Sequence, residues 1–422
     1  VVFLARNKYV AVAIVLFIHL YFFVAREYCF FPLKQDAARQ GWPAGTLQKL
    51  KNGNYLFGDY QAHRAIVERI LNKTTSRPYT QEGQKEIFKN WIPTATQGLP
   101  HAYSPTTGLL LAPFVWMDVW TGYYVYVAIN LALLAALLNG YLLPRARNNW
   151  ELAAIGIFCL SLSVMHIIGI GQTAILTLGA LALLWHLVYD PEQKRLYPSK
   201  WFQDVVLGVI LFLLSAKPPM ALLAGAVLLG ARRWRAASLG AALFAANFTL
   251  MLPYYGGWPY AVTDYLSFLQ HYNREDLEPF FRECLNYGGA SDPTGFMGKL
   301  FGLPEQTTMR LCQLVTFIVM PATIVLAWLK KIGPSTAFQI QLTLFLIASP
   351  FLRTSEDIAI VLLVAEGCLF GIQSRFVEIT KLILFFLLMN LIFWYGSWHY
   401  PIKLIMLFIV LARVLVRIPI PG

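Results

Sequence analysis

Apolar residues arrive along this chain in blocks of about 14–24 residues, separated by short stretches rich in Lys, Arg, Gly and Pro. A first block runs from Tyr9 to Ala25. Later blocks predict spans at roughly 119–143, 151–168, 172–189, 202–216, 218–231, 236–255, 309–329, 336–352, 357–373, 378–395 and 399–412. Together these make about twelve membrane-crossing helices, an all-α polytopic fold. Two segments break the rhythm. Tyr60 to Leu71 places Ala62, Ile66, Ile70 and Leu71 at helical spacing on a polar background, as in a helix lying on a membrane surface. Thr107 to Met117 is apolar but far short of the ~20 residues that a crossing needs, so it is expected to be re-entrant or buried. The expected organisation is a single domain, 1–422. It comprises a first span (1–25), an outer loop with the amphipathic helix and the re-entrant segment (26–118), core spans (119–255), a second outer loop (256–306) and C-terminal spans (307–422).

Composition excludes a water-soluble domain, because 57% of residues are hydrophobic and only 13% charged, with mean hydropathy +0.55. The net charge of +12 raises the question of a nucleic-acid partner. Its distribution answers no. With the N-terminus in the cytoplasm, Arg145/Arg147, Lys194/Arg195/Lys200, Arg232/Arg233/Arg235, Lys330/Lys331, Arg375/Lys381 and Arg413/Arg417 all fall on the cytoplasmic side, as the positive-inside rule requires. Both termini are then cytoplasmic. The first block, preceded by Arg6 and Lys8, reads as a retained span, with a cleaved signal peptide as the weaker reading. No two of the five cysteines have metal-ligand spacing. Cys29 and Cys284 are placed outside the membrane, where one bridge is open to them; Cys159, Cys312 and Cys368 read as packing residues. Asn72-Lys73-Thr74 is a glycosylation sequon.

The other side receives the unusual polar residues. Asp59 opens the amphipathic helix and is either its cap or a general base for a hydroxyl acceptor. Lys217 precedes Pro218-Pro219, which break the helix at the membrane edge; it either snorkels or holds a lipid phosphate. Arg353, after Ser349-Pro350, has the same character. Gly171-Gln172 is packing glue between spans or a hydrogen-bonding turn, and Tyr103-Ser104-Pro105 is a turn signal. No phosphate-cradling Gly-rich loop, nucleophile elbow or dinucleotide fingerprint is present in the sequence.

The order of these features resembles the integral-membrane GT-C glycosyltransferases, and most of all glycosyltransferase family 87, the polyprenyl-phosphate-mannose-dependent alpha-mannosyltransferases. The likeness is carried by Gly58-Asp59-Tyr60 to Leu71, Tyr103-Ser104-Pro105-Thr106 to Ala112-Pro113, Gly171-Gln172-Thr173, and Ala216-Lys217-Pro218-Pro219 to Arg235, with Ser349-Pro350 to Asp357 weaker. The resemblance implies a GT-C-like bundle and sugar transfer from a polyprenyl-phosphate donor to a lipid or glycan acceptor, outside a bacterial plasma membrane. It makes Asp59 the general base, Lys217 and Arg353 the donor-phosphate ligands, and Tyr60, Tyr103, Gln172, His271 and Asp357 substrate-binding residues, with the 256–306 loop over the acceptor. It calls for no cofactor and no metal. Membrane lipids, and other membrane proteins in a complex, are the further partners it leaves room for. Tyr103-Ser104-Pro105 stands where the family usually has Tyr-Pro-Pro, and Arg353 to Asp357 where Trp and His commonly follow Ser-Pro. Two other readings remain open from the sequence: a secondary transporter or flippase of a lipid-linked substrate, and a non-catalytic subunit of a larger complex.

Overall fold

The structure is a computed structural model of the 422-residue chain and describes residues 7–39, 58–72, 77–80, 82–83, 86, 104, 106–189, 199–271, 302, 304–348, 357–371, 374–390 and 396–416. Among these residues the regular structure is entirely helical. The N-terminal part contains α1 (Lys8–Arg39), α2 (Gly58–Leu71), α3 (Thr106–Val115), α4 (Val119–Leu137), α5 (Asn149–Cys159), α6 (Leu162–Ile170) and α7 (Ala174–Tyr189). Then come α8 (Lys200–Leu214), α9 (Pro218–Gly230), α10 (Trp234–Met251), α11 (Tyr260–His271), α12 (Glu305–Trp328), α13 (Pro334–Ala348), α14 (Ile360–Ala365), α15 (Arg375–Asn390) and α16 (Gly396–Val416). Helix α4 continues through a π-helical turn, Leu138–Leu142, into Leu143–Arg145.

Local chemistry sets the ends of these helices. Asn148 caps α5 by accepting from the Trp150 and Glu151 amides, Ser161 caps α6 through Val164, and Ser199 caps α8 through Phe202. Gly171 ends α6 in the left-handed conformation at φ 75°, with its amide turned back to the helix.

Hydrogen bonds then gather the helix ends into two polar layers. In one layer the Arg145 guanidinium meets Glu366 at 3.1 Å and His186 Nδ1 at 3.1 Å, and Tyr141 donates to Glu366 at 2.8 Å. Arg233 donates to Asp204 and Gln203, the Trp328 indole to Leu229 O, and Arg413 to Leu369 O. The other layer holds Ser104, Ser215, Gly171 and α2. Helices α4, α7, α9, α12 and α16 run from this second layer toward the first; the α5–α6 pair, α8, α10, α13 and α15 run back. That alternation is the one the basic punctuation predicts.

The centre is dry. All six residues of α14 are buried, an all-round apolar helix enclosed by its neighbours. Large apolar side chains on α1 (Phe17, Leu20), α12 (Leu314, Phe317) and α15 (Ile383, Phe386) point outward instead. Such surfaces suit lipid. In a bilayer, helix association then rests on close packing and interhelical hydrogen bonds, since apolar contact with lipid is as favourable as contact with another helix.

Several expected boundaries change. Helix α1 runs on to Arg39 and does not end at 25. The 151–168 span is two helices, because the Ser161 side chain offers the backbone a new start after Leu160. Within the expected 357–373 span, a 3-10 turn Asp357–Ala359 leads into a six-residue helix that ends at a turn through Glu366 and left-handed Gly367, far too short to cross by itself. The outer loop 256–306 contains α11. Five helical stretches among the described residues are long and apolar enough to cross a bilayer: Lys8–Ala25, Thr121–Arg145, Asn149–Gly169, Trp234–Tyr254 and Arg310–Trp328. The apolar helices α3, α7, α9 and α13 are shorter. Cys159, Cys312 and Cys368 are buried free thiols, whereas the side chain of Cys29, Cys284 and the sequon residues Lys73 and Thr74 lie outside the described part.

Candidate functional site

Four of the segments singled out in the sequence meet on the short helix α3. Helix α2 lies antiparallel against it. Arg64, on the same face as Tyr60 one turn earlier, donates to the carbonyls of Phe114, Val115 and Met117 at 3.2, 3.3 and 2.8 Å. These are the acceptors that a helix C-terminus leaves without intrahelical partners, so a charged side chain from α2 closes the end of α3.

Tyr60 fixes the start of α2. It is 1% exposed and packs against Phe114, Tyr123 and Tyr126 with ring centroids 6.3, 5.7 and 5.4 Å away. Burial pushes its hydroxyl up to about 12, so it stays a neutral phenol. A β-carbon at Gly171 would collide with the Tyr60 side chain and lie 3.3 Å from its Cα. Glycine is therefore required twice over, for this approach and for its positive φ. Consecutive Cα atoms are ~3.8 Å apart, so the Asp59 backbone lies within one residue of the Gly171-Gln172 turn. Asp59 is in the first turn of α2, where the helix dipole favours a carboxylate. Beside it, Gln172 Oε1 and Thr173 Oγ1 are buried with no hydrogen-bond partner among the described residues.

The opposite end of α3 is joined to the Lys217 turn. The Ser104 hydroxyl donates to Ser215 O at 2.6 Å, the Ser104 amide donates to Ala216 O at 3.2 Å, and the Thr106 and Ser215 hydroxyls lie 3.0 Å apart. Lys217 is the N-cap of α9 in an extended conformation, with its amide bonded to Leu214 O and its own carbonyl accepting from Met220 and Ala221. Pro218 and Pro219 have no N–H to offer, so the start of α9 lacks the first amides by which helices ordinarily bind anions. The half-buried Lys217 is the cationic side chain at this helix start. Between Thr106 and Phe114, α3 rises 1.5 Å per residue, about 12 Å in all. The backbone at Asp59 and the Lys217 turn thus stand at opposite ends of this short helix.

Asp357 is 1% exposed, and both its oxygens are occupied by Lys403 Nζ at 3.1 and 3.3 Å, with Lys403 5.0 Å from the Tyr400 ring. Its carboxylate is engaged inside the bundle. Tyr103 and Arg353 lie outside the described residues, as do the side chains of Asp59 and His271; the backbone of His271 ends α11. Three structural participants have only weak signals in the sequence. Arg64 is legible from its helical spacing to Tyr60. Ser215 and Thr106 are common residues whose meeting across 109 positions depends on the fold.

The two polar layers, the outward apolar faces and the five long apolar helices define a polytopic helical membrane protein. The family model for glycosyltransferase family 87 matches residues 101–350, more than half of the chain, and the chain belongs to that family. The match covers Ser104, Thr106, Gly171-Gln172 and Lys217, while Asp59, Arg353 and Asp357 fall outside it. No curated protein matches the chain, and no solved structure does.

Proposed function

We propose that this membrane glycosyltransferase moves a hexose, with mannose the first choice, from a polyprenyl-phosphate donor to a hydroxyl of a lipid or glycan acceptor on the extracytoplasmic face. The observation that carries the reading is the seating of the Asp59 helix and the Lys217 turn at opposite ends of α3. The acceptor oxygen bonds to the anomeric carbon as the bond from that carbon to the phosphate oxygen breaks. Configuration inverts. The acceptor proton passes to Asp59, and polyprenyl phosphate leaves with the electron pair. Lys217, with Arg353, holds the phosphate as its charge builds, where a fixed cation stabilises the transition state more than the ground state. Gln172 and Thr173 receive sugar hydroxyls, and Tyr60 sets the position of Asp59 without itself ionising. Tyr103 and His271 are assigned to substrate contact, and Asp357 anchors the chain that follows Arg353.

The test uses purified full-length protein in lipid nanodiscs, polyprenyl-phosphate mannose labelled in the sugar, and a membrane lipid extract as acceptor. Wild type is expected to transfer label, and Asp59→Asn to lose transfer by about 10²–10⁴-fold, the usual contribution of a general base. Full transfer by folded Asp59→Asn would remove Asp59 from the chemistry.

A further inference from the structure

A second cluster lies beside the donor end of α3, built from parts of the chain that the proposed chemistry does not use. Arg77 grips Asp264 with two hydrogen bonds, Nε to Oδ2 at 2.7 Å and Nη2 to Oδ1 at 2.5 Å, while its guanidinium lies 4.6 Å from the Tyr260 ring. Two residues on, Tyr79 is buried against Tyr255 (5.1 Å, stacked) and Tyr265 (4.7 Å). Thr80 and Gly83 fold that segment into a compact turn: the Thr80 hydroxyl donates to Arg77 O and accepts from the Gly83 amide. Ile70, at the far end of α2 from Asp59, packs into the same cluster with Met251 and Ala261.

The cluster rests directly on α3. A β-carbon at Gly108 would lie 2.7 Å from Met251 Cε and 3.7 Å from the Tyr255 hydroxyl. Gly108 is two residues from Thr106, which holds Ser215, two residues before Lys217. Helix α11 leaves this point through Gly256 and Gly257, at φ 90° and 78°, followed by Trp258-Pro259. A further tie reaches α11 from outside that turn. The tie is a bidentate ion pair whose carboxylate side chain is only 9% exposed, so losing Arg77 strands a largely buried charge. Tyr60, by contrast, is seated on Gly171 at the other end of α2, so a tilt of that helix about Tyr60 moves Ile70 and leaves Asp59 nearly in place.

We infer that Arg77 and Asp264 are positioning residues of the donor end: they clamp α11 and the 77–83 turn against the base of α3 and so set affinity for the lipid phosphate, not the rate of the chemical step. The inference rests on the donor reading of Lys217. Farnesyl phosphate serves as a soluble probe of that subsite, alongside donor and acceptor KM and kcat in the transfer assay. Arg77→Ala and Asp264→Ala should each weaken farnesyl phosphate binding and raise donor KM about fivefold, with kcat and acceptor KM changed less than twofold. Asp264→Asn should fall between, and the exchanged pair Arg77→Asp/Asp264→Arg should recover most of the binding. Single variants that melt as wild type and bind the probe as wild type, while Lys217→Ala does not bind, would overturn the clamp and leave the donor site standing. A wild-type chain that binds no prenyl phosphate would overturn both. A fall in kcat at unchanged donor KM would also overturn it, because the clamp would then be acting on Asp59.

Discussion

The two polar layers of the bundle are built from different materials. In the layer around Arg145, ionised groups neutralise one another: Arg145 with Glu366, Arg233 with Asp204, and Lys381 with Glu378. In the layer around α3, helix ends are held largely by hydroxyls, backbone carbonyls and aromatic rings, as in Ser104 to Ser215 and Tyr60 among Phe114, Tyr123 and Tyr126, with Arg64 on the α3 carbonyls and the Arg77–Asp264 pair at its margin. The difference teaches where chemistry can happen. A layer built on charge pairs between helix ends fixes the orientation of helices; the α3 layer places Asp59 and Lys217 at helix starts, where the proposed substrate would meet them.

Substitutions at the two layers should therefore diverge. The largest effect is expected for Asp59→Asn, a loss of transfer of about 10²–10⁴-fold with unchanged thermal unfolding. Lys217→Ala should follow, lowering kcat/KM for the donor by about 10²–10³-fold, the range for losing one group that stabilises developing negative charge. Gly171→Ala combines a strained φ with a collision at Tyr60. It should cost about 2–4 kcal/mol in thermal stability and most of the activity with it. Arg145→Ala in the opposite layer strands Glu366 and should cost about 1–3 kcal/mol of stability while kcat per folded molecule stays at the wild-type value. The smallest change, about 1 kcal/mol or less, is expected for Ser104→Ala, measured as a slight rise in donor KM. Equal effects on kcat from Arg145→Ala and Lys217→Ala would erase the contrast between the layers.

Much of this architecture is legible in the sequence because its signals are local and strong. Apolar block length and basic punctuation give helices and their alternation, since a bilayer forces both. The amphipathic pattern of Tyr60 to Leu71 and the shortness of the Thr107 block give α2 and α3 nearly to the residue. Harder to read are features that depend on distant partners. The break at Ser161 is a single polar residue in an apolar run, and the short α14 looks like a span because its surroundings, not water or lipid, accept its apolar faces. The meeting of Tyr60 with Gly171 and of Ser104 with Ser215 is tertiary information. So is the capture of Asp357 by Lys403, which gives that acid a partner 46 positions away.

The central claim is that the α3 layer, and not the Arg145 layer, receives the lipid phosphate and its sugar. The most direct measurement is a structure of the full chain in nanodiscs with a polyprenyl-phosphate sugar bound to Asp59→Asn. The phosphate is expected against Lys217 at the Thr106 end of α3, with the sugar extending along the helix toward residue 59 and the Gln172 turn. A phosphate seated among Arg145, Arg233 and Arg413, with the α3 layer empty, would contradict it.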